Sequence, residues 1–390
     1  MNPQSAMITT QIALDKALHQ LSQCDVIALD TEFLREKTYY PKLCLIQISG
    51  NGHHYAIDPI AGELDLSGLW ALFQDESIMK VFHAGRQDLE IFYHLTGELP
   101  RPIFDTQVAA MVCGLGDQIG YDKLVSHYLN KHIDKSSRFT DWSKRPLNDR
   151  QITYALDDVI YLAEIYPIMQ KQLKKNKKER WIAEELAIIT SKETYAIDPE
   201  ESYKRIKIRS PKPQVLNRLK HLAAFREREC QKRDLPRGRF LKDETLMDLA
   251  ATGPKNTDAL AKIRGLNLQS NGWLSTNILK IIKQADEQDK SLWPDAPKRQ
   301  PTERAPAAVL EVLRVLLKHV SDEEGVATRL IATAAELETL ALSDDKSQPV
   351  LQGWRYDVFG AKALDMKSGK IAITLQEDKL YFHPLASLSE

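Results

Sequence analysis

A chain of 390 residues exceeds one ordinary domain, and at ~150 residues per domain it divides into two or three. With 43% hydrophobic and 27% charged residues it is a globular sequence, not a disordered one, and no apolar run approaches the ~18 residues of a membrane span. The formal net charge of -1 conceals an asymmetry: residues 1–110 carry 7 Lys/Arg against 14 Asp/Glu, residues 201–240 carry 13 against 4, and the chain beyond Ser321 is acidic again.

The opening Met1-Asn2-Pro3-Gln4-Ser5 has no basic segment or apolar core of the kind that directs secretion. Val26-Ile27-Ala28-Leu29 reads as a buried strand, ending in Asp30-Thr31-Glu32. Leu43–Ile48 and His54–Ile57 flank the turn cluster Ser49-Gly50-Asn51-Gly52 and predict a hairpin. Lys80-Val81-Phe82 is a further strand leading to a helix over Gln87–Leu95, and Phe104-Asp105 ends another strand before a helix over Gln107–Cys113. Ile152, Ala155, Leu156, Val159, Ile160 and Ala163 then recur at the spacing of one buried helix face.

Positive charge gathers next, in Lys171, Lys174, Lys175, Lys177, Lys178 and Arg180 and in the connector Lys204–Pro213, which together predict a surface for a polyanion such as RNA. From Gln214 the periodicity is helical throughout, with segments Leu216–Arg233, Asp243–Ala251, Asn256–Lys262 and Leu274–Gln288. Trp293–Pro306 carries four prolines and reads as a linker, Ala307–Leu340 is helical again, and Gly369–Phe382 alternates as a terminal hairpin would. Cys24, Cys44, Cys113 and Cys230 follow no CxxC spacing, so a disulfide framework or zinc knuckle is not expected and a reducing cytoplasm is.

The chemistry-bearing residues fall in three stretches. Positions i and i+2 of a strand face the same way, so Asp30 and Glu32 present two carboxylates together at a strand end. Asp88 lies at the start of the helix after the fourth predicted strand. Tyr154 and Asp158 share a helix face at i and i+4, while Asp157 is turned ~100° away. Hard oxygen ligands with open positions suit Mg²⁺ or Mn²⁺, and two such ions can serve phosphodiester hydrolysis. The phenol of Tyr154 is too weak an acid to serve as a general base and is expected to orient the attacking water.

Leu29–Phe33, Val81–Leu89 and Tyr154–Asp158, in this order, resemble the three motifs of the DEDD exonuclease superfamily in its tyrosine subtype. Gly85 stands where many members carry a larger residue. Residues 222–229, 235–240, 246–250 and 259–265 resemble the HRDC domain, and the combination is similar to the bacterial ribonuclease D family. The resemblance implies an α/β ribonuclease H-like exonuclease domain with a mixed sheet over residues 1–200, followed by all-α HRDC domains: one over 210–292, a linker over 293–306 and a degenerate second copy over 307–390. It implies Asp30, Glu32, Asp88 and Asp158 as metal ligands, Tyr154 as the water-orienting residue, and Asp105 and His83 as supporting residues behind them. Thr31 and Phe33 are expected to contact substrate. The implied activity is 3′→5′ hydrolysis of RNA, precursor tRNA in particular, releasing 5′-mononucleotides with two divalent ions as cofactors. The expected enzyme is monomeric and binds no membrane. A DNA-directed 3′→5′ exonuclease and a non-catalytic nucleic-acid-binding scaffold remain the alternatives.

Overall fold

The computed structural model describes residues 6–208, 211–266, 272–295 and 305–385. The expected signal-free start, Met1–Ser5, and most of the expected linker, residues 296–304, lie outside the described residues. The chain divides into two compact units: the first comprises residues 1–32, 43–191 and 303–390, the second 33–42 and 192–302.

The first unit is built on a six-stranded mixed sheet. Its strands are β1 (Met7–Ile8), β2 (Val26–Leu34), β3 (Lys42–Gly50), β4 (His53–Ile57), β5 (Met79–Phe82) and β6 (Ile103–Asp105), in the order β1-β4-β3-β2-β5-β6. β3 and β4 form the expected antiparallel hairpin, with Ile48 opposite Tyr55, while β2, β5 and β6 run parallel. The helices are α1 (Gln11–Leu21), α2 (Ser67–Gln74), α3 (Arg86–Thr96), α4 (Thr106–Val112), α5 (Tyr121–Leu129), α6 (Asp149–Lys175) and α7 (Glu179–Ile189). Among these elements β1, α1, α2, α5 and α7 are given no bounds by the sequence reading, although Leu14, Ala17 and Leu21 already mark a buried face of α1.

The register of the parallel strands decides where a site can form. β2 pairs with β5 through Val26, Ile27 and Ala28, so on that side its remaining residues run on past the pairing toward the carboxyl end of the parallel strands. Ligand sites of open α/β sheets lie outside such strand ends. α6 starts with a reciprocal cap, Asn148 accepting from the Gln151 N–H while the Gln151 side chain accepts from the Asn148 N–H. Its buried face, including Ile152, Ala155, Leu156 and Val159, then fixes which residues turn toward the strand ends.

The second unit contains α8 (Pro213–Arg233), α9 (Arg237–Phe240), α10 (Asp243–Thr252), α11 (Thr257–Leu260) and α12 (Gly272–Glu287). Leu219, Leu222, Leu246, Leu249, Leu260 and Ile278 form its core. The segment 33–42 belongs to this unit: Asp234 accepts from the N–H groups of Tyr39 and Tyr40 at 2.9 and 3.0 Å, and the Tyr39 hydroxyl donates to the fully buried Glu227, which Arg237 also pairs.

The chain then returns to the first unit through α13 (Ala307–Glu324), α14 (Thr328–Ile331), α15 (Ala334–Leu342), α16 (Gly353–Arg355), a π turn at Tyr356–Gly360 and α17 (Ala361–Lys367). The hairpin β7 (Ile371–Gln376) and β8 (Lys379–Pro384) follows where alternation predicted it. Leu313, Leu316, Val320, Leu340 and Trp354 share one apolar core with Val112, Val159, Ile165 and Ile182. Trp354 is fully buried, its indole stacked on Trp181 at 4.9 Å and donating to Glu185 at 2.7 Å.

Two members of the expected basic RNA surface are committed to this packing. Lys178 is buried and donates to the carbonyls of Val112, Glu324 and Gly325, and Arg180 pairs with Glu184 and Asp357. Lysine here acts as a staple for helix-end carbonyls, a use that a run of charges in sequence does not distinguish from a solvated face. Lys171, Lys174, Lys175 and Lys177 remain exposed.

Candidate active site

Asp30, Glu32 and Asp158 converge: one carboxylate oxygen from each lies within 4.8 Å of the others. Alternation along β2 sends Asp30 and Glu32 to the open side and buries Thr31 on the other. Asp158 reaches the same point from α6. Asp88 enters from the first turn of α3, buried, and accepts a hydrogen bond from the Thr31 hydroxyl. The side chain of Thr31 therefore positions a carboxylate, spending its one hydroxyl hydrogen on Asp88. Phe33 follows Glu32 directly at the end of β2 and is half-buried.

Crowding sets the protonation of the group. Burial first, and then the charges of Asp88, Asp158 and Glu32, push the Asp30 carboxyl well above the usual range. Burial and the charges of Asp158 and Asp88 raise Glu32 to about 9. Burial lifts Asp88 to about 7 against the Thr31 hydrogen bond, and lifts Asp158 to about 7 against a hydrogen bond from Tyr154. The Tyr154 phenol is itself raised, by burial and by the neighbouring carboxylates, so it stays protonated and donates.

The two expected supporting residues hold the scaffold. Asp105 is buried and accepts from the N–H groups of Ala84 (3.1 Å), Gly85 (2.9 Å), Gln107 (2.8 Å) and Val108 (3.3 Å), so it caps α4 and clasps the turn before α3. Ala84 in that turn has a φ of 57°, a left-handed conformation uncommon for a residue with a Cβ. Gly85 has no room for a larger side chain, since an added Cβ would stand 2.6 Å from Phe82 Cβ. His83 lies 3.0 Å from the Thr106 hydroxyl and 3.1 Å from the Ile119 carbonyl, and burial holds it below its ordinary pKa, as a neutral ring.

Sequence reasoning missed four residues of this neighbourhood. The Tyr121 hydroxyl donates to the Asp157 carbonyl at 3.0 Å, and the Trp142 ring lies 6.1 Å from that of Tyr154. The positive charges of Arg138 and Lys135 favour ionised Asp158, and Arg138 does the same for Glu32. The interleaved cations and aromatics from Lys135 to Trp142 were the available signal.

The donor set suits a divalent cation: all oxygen, all acidic, and mutually repulsive unless a positive charge lies between them. Comparison with known proteins agrees with this chemistry. Residues 5–174 match the 3′-5′ exonuclease family and residues 215–281 the HRDC domain. The chain is 41% identical to ribonuclease D of Bartonella henselae, covering 97% of this chain and 94% of that one. It is 43% identical to ribonuclease D of Zymomonas mobilis, covering 96% and 97%. The crystal structure of Escherichia coli RNase D, an exoribonuclease involved in structured RNA processing, superposes with a TM-score of 0.82 at 29% identity, covering 93% of this chain and 98% of that one. Sheet order, converging carboxylates and full-length similarity lead to one conclusion: the chain belongs to the ribonuclease D family and is a 3′-5′ exoribonuclease with a ribonuclease H-like catalytic fold.

Proposed function

We propose that the enzyme trims 3′ ends of structured RNA, precursor tRNA above all, by hydrolysis assisted by two divalent ions, releasing 5′-mononucleotides. The observation that carries this reading is the approach of the Asp30, Glu32 and Asp158 oxygens to within 4.8 Å, where β2 runs past its pairing with β5. Asp30, Glu32, Asp158 and, from behind Thr31, Asp88 would hold the ions. When bound, the ions would neutralise charge on the attacking water and on the leaving 3′ oxygen.

The remaining chemistry belongs to side chains already in place. Tyr154, kept protonated, donates its one hydrogen to Asp158, and its phenol oxygen is left to accept from the attacking water and orient it without taking its proton. Thr31 and Asp105 keep Asp88 and its turn in position before any substrate arrives. Phe33, adjacent to Glu32, would stack on the terminal base, a contact tolerant of base identity. Three of the four cysteines, Cys24, Cys44 and Cys230, are buried, and all four are unpaired, which supports a reducing, cytoplasmic setting.

The test is a time course on a 3′-extended precursor tRNA, with Mg²⁺ or with chelator, beside matched RNA and DNA single strands. Mononucleotides released stepwise from RNA only in the metal sample are expected. Equal rates on DNA would favour the DNA-directed alternative, and hydrolysis unaffected by chelator would contradict the metal assignment.

A further inference from the structure

The segment between α5 and α6 carries no helix or strand of its own, yet it is pinned at both ends. Lys135 pairs with Asp122 at 2.7 Å, the Thr140 hydroxyl donates to the Ser137 carbonyl at 2.8 Å, and Gln151 donates to Thr140 at 3.1 Å from the first turn of α6. At the other end Arg145 grips both oxygens of the buried Asp58, at 2.5 and 2.7 Å, and the Cys44 carbonyl at 2.7 Å. Trp142 is buried beside Tyr154. Between these anchors two residues turn outward. Phe139 is 90% exposed, more than any other large apolar side chain among the described residues. The Arg138 guanidinium lies 5.1 Å over its ring and takes no ion pair among the described residues, while its charge acts on Glu32 and Asp158.

A rigidly mounted loop that lays Trp142 against Tyr154 yet spends a phenyl ring on water three residues earlier has not buried that ring for stability. An aromatic face beside an uncommitted cation matches the two parts of a nucleotide, base and phosphate. We propose that Arg138 and Phe139 clamp the 3′ end of the RNA: Arg138 contacts the phosphate entering the carboxylate centre, and Phe139 stacks on one of the last two bases. The proposal deepens the exoribonuclease reading and rests on it.

The test uses the full chain and two readouts. Binding of a fluorescent single-stranded RNA is measured by anisotropy in chelator, where nothing turns over, on natural RNA and on RNA with abasic sugars at its last two positions. Steady-state hydrolysis is measured with Mg²⁺. Phe139→Ala is expected to weaken binding of natural RNA by about 10-fold and of abasic RNA by less than about 2-fold, with Phe139→Trp retaining affinity. Arg138→Ala is expected to lower kcat/KM about 100-fold, with Arg138→Lys recovering part of the loss. Thermal midpoints should match the wild type, both side chains being exposed. Natural and abasic RNA responding equally to Phe139→Ala, or Arg138→Ala leaving kcat/KM unchanged, would overturn the clamp. A wild type inactive on RNA would instead defeat the exoribonuclease reading, and the anisotropy arm would still decide the clamp.

Discussion

At the scale of single residues, the site is a set of carboxylates held closer than their charges allow without help. Asp30→Asn removes one oxygen ligand while keeping size and hydrogen bonding. It is expected to reduce Mg²⁺-dependent RNA hydrolysis by at least about 10³-fold while leaving RNA affinity in chelator within about 2-fold, measured by rate and anisotropy. The same crowding fixes a pH response. Asp88 and Asp158 near 7 and Glu32 near 9 lie above the ~4 of unfolded carboxyls, so the metal-free fold binds protons that the unfolded chain has released. The stability associated with those protons is fully present below pH ~4 and is lost as pH rises through about 7 to 9. The thermal midpoint of the metal-free enzyme should therefore fall from about pH 4 to about pH 9, and the increment on adding Mn²⁺ should grow as the folded carboxyls ionise, through about pH 7 to 9. A Mn²⁺ increment independent of pH would mean these carboxyls do not release protons on binding. Asp30, Glu32, Tyr154 and Asp158 were legible in sequence because strand and helix periods alone place them. The hydrogen bond from Thr31 to Asp88 was not legible for a related reason: periodicity gives the side of the strand, not the partner waiting there.

At the scale of elements, the turn between β5 and α3 carries more constraint than its sequence suggests. Asp105 from β6 holds two of its N–H groups, Ala84 is left-handed, and Gly85 sits against Phe82. Gly85→Ala should cost about 1–3 kcal/mol by overpacking and should lower kcat by displacing Asp88, measured by chemical denaturation and by rate. A variant with wild-type stability and rate would show that the turn yields without moving α3. This constraint was not legible, because the atoms that exclude a Cβ belong to the preceding strand and the clasp comes from one 20 residues away. The loop before α6 was illegible for the same reason: Asp58 and Cys44, which fix Arg145, are distant in sequence. α6 itself was legible, its apolar repeat surviving Pro167 within the helix.

At the scale of the whole molecule, sequence charge overstates what is available to RNA. Of the 13 basic residues in 201–240, Lys204, Arg218, Arg226, Arg228, Arg233 and Arg237 are ion-paired, several with acids outside that stretch such as Asp243 and Asp286. Arg205, Lys207, Lys212, Lys232 and Arg239 are exposed without an ion pair among the described residues. If these contact phosphates, replacing Arg205, Lys207 and Lys212 by Gln should flatten the log–log salt dependence of RNA binding by about 0.7 per lost contact. An unchanged slope would place the RNA elsewhere. Residues 305–385 share the catalytic unit's core, and Trp354→Ala should destabilise that unit by about 3–5 kcal/mol, seen as a lower unfolding midpoint. No helix among the described residues is long and apolar enough to cross a membrane.

Direct titration of Mn²⁺ into the purified protein reaches the central claim without substrate. Micromolar binding, with protons released on uptake, is expected for the wild type and should be lost in Asp30→Asn and Asp158→Asn proteins that keep their fold. Binding of equal affinity in all three would contradict the assignment of these carboxylates as the cation site.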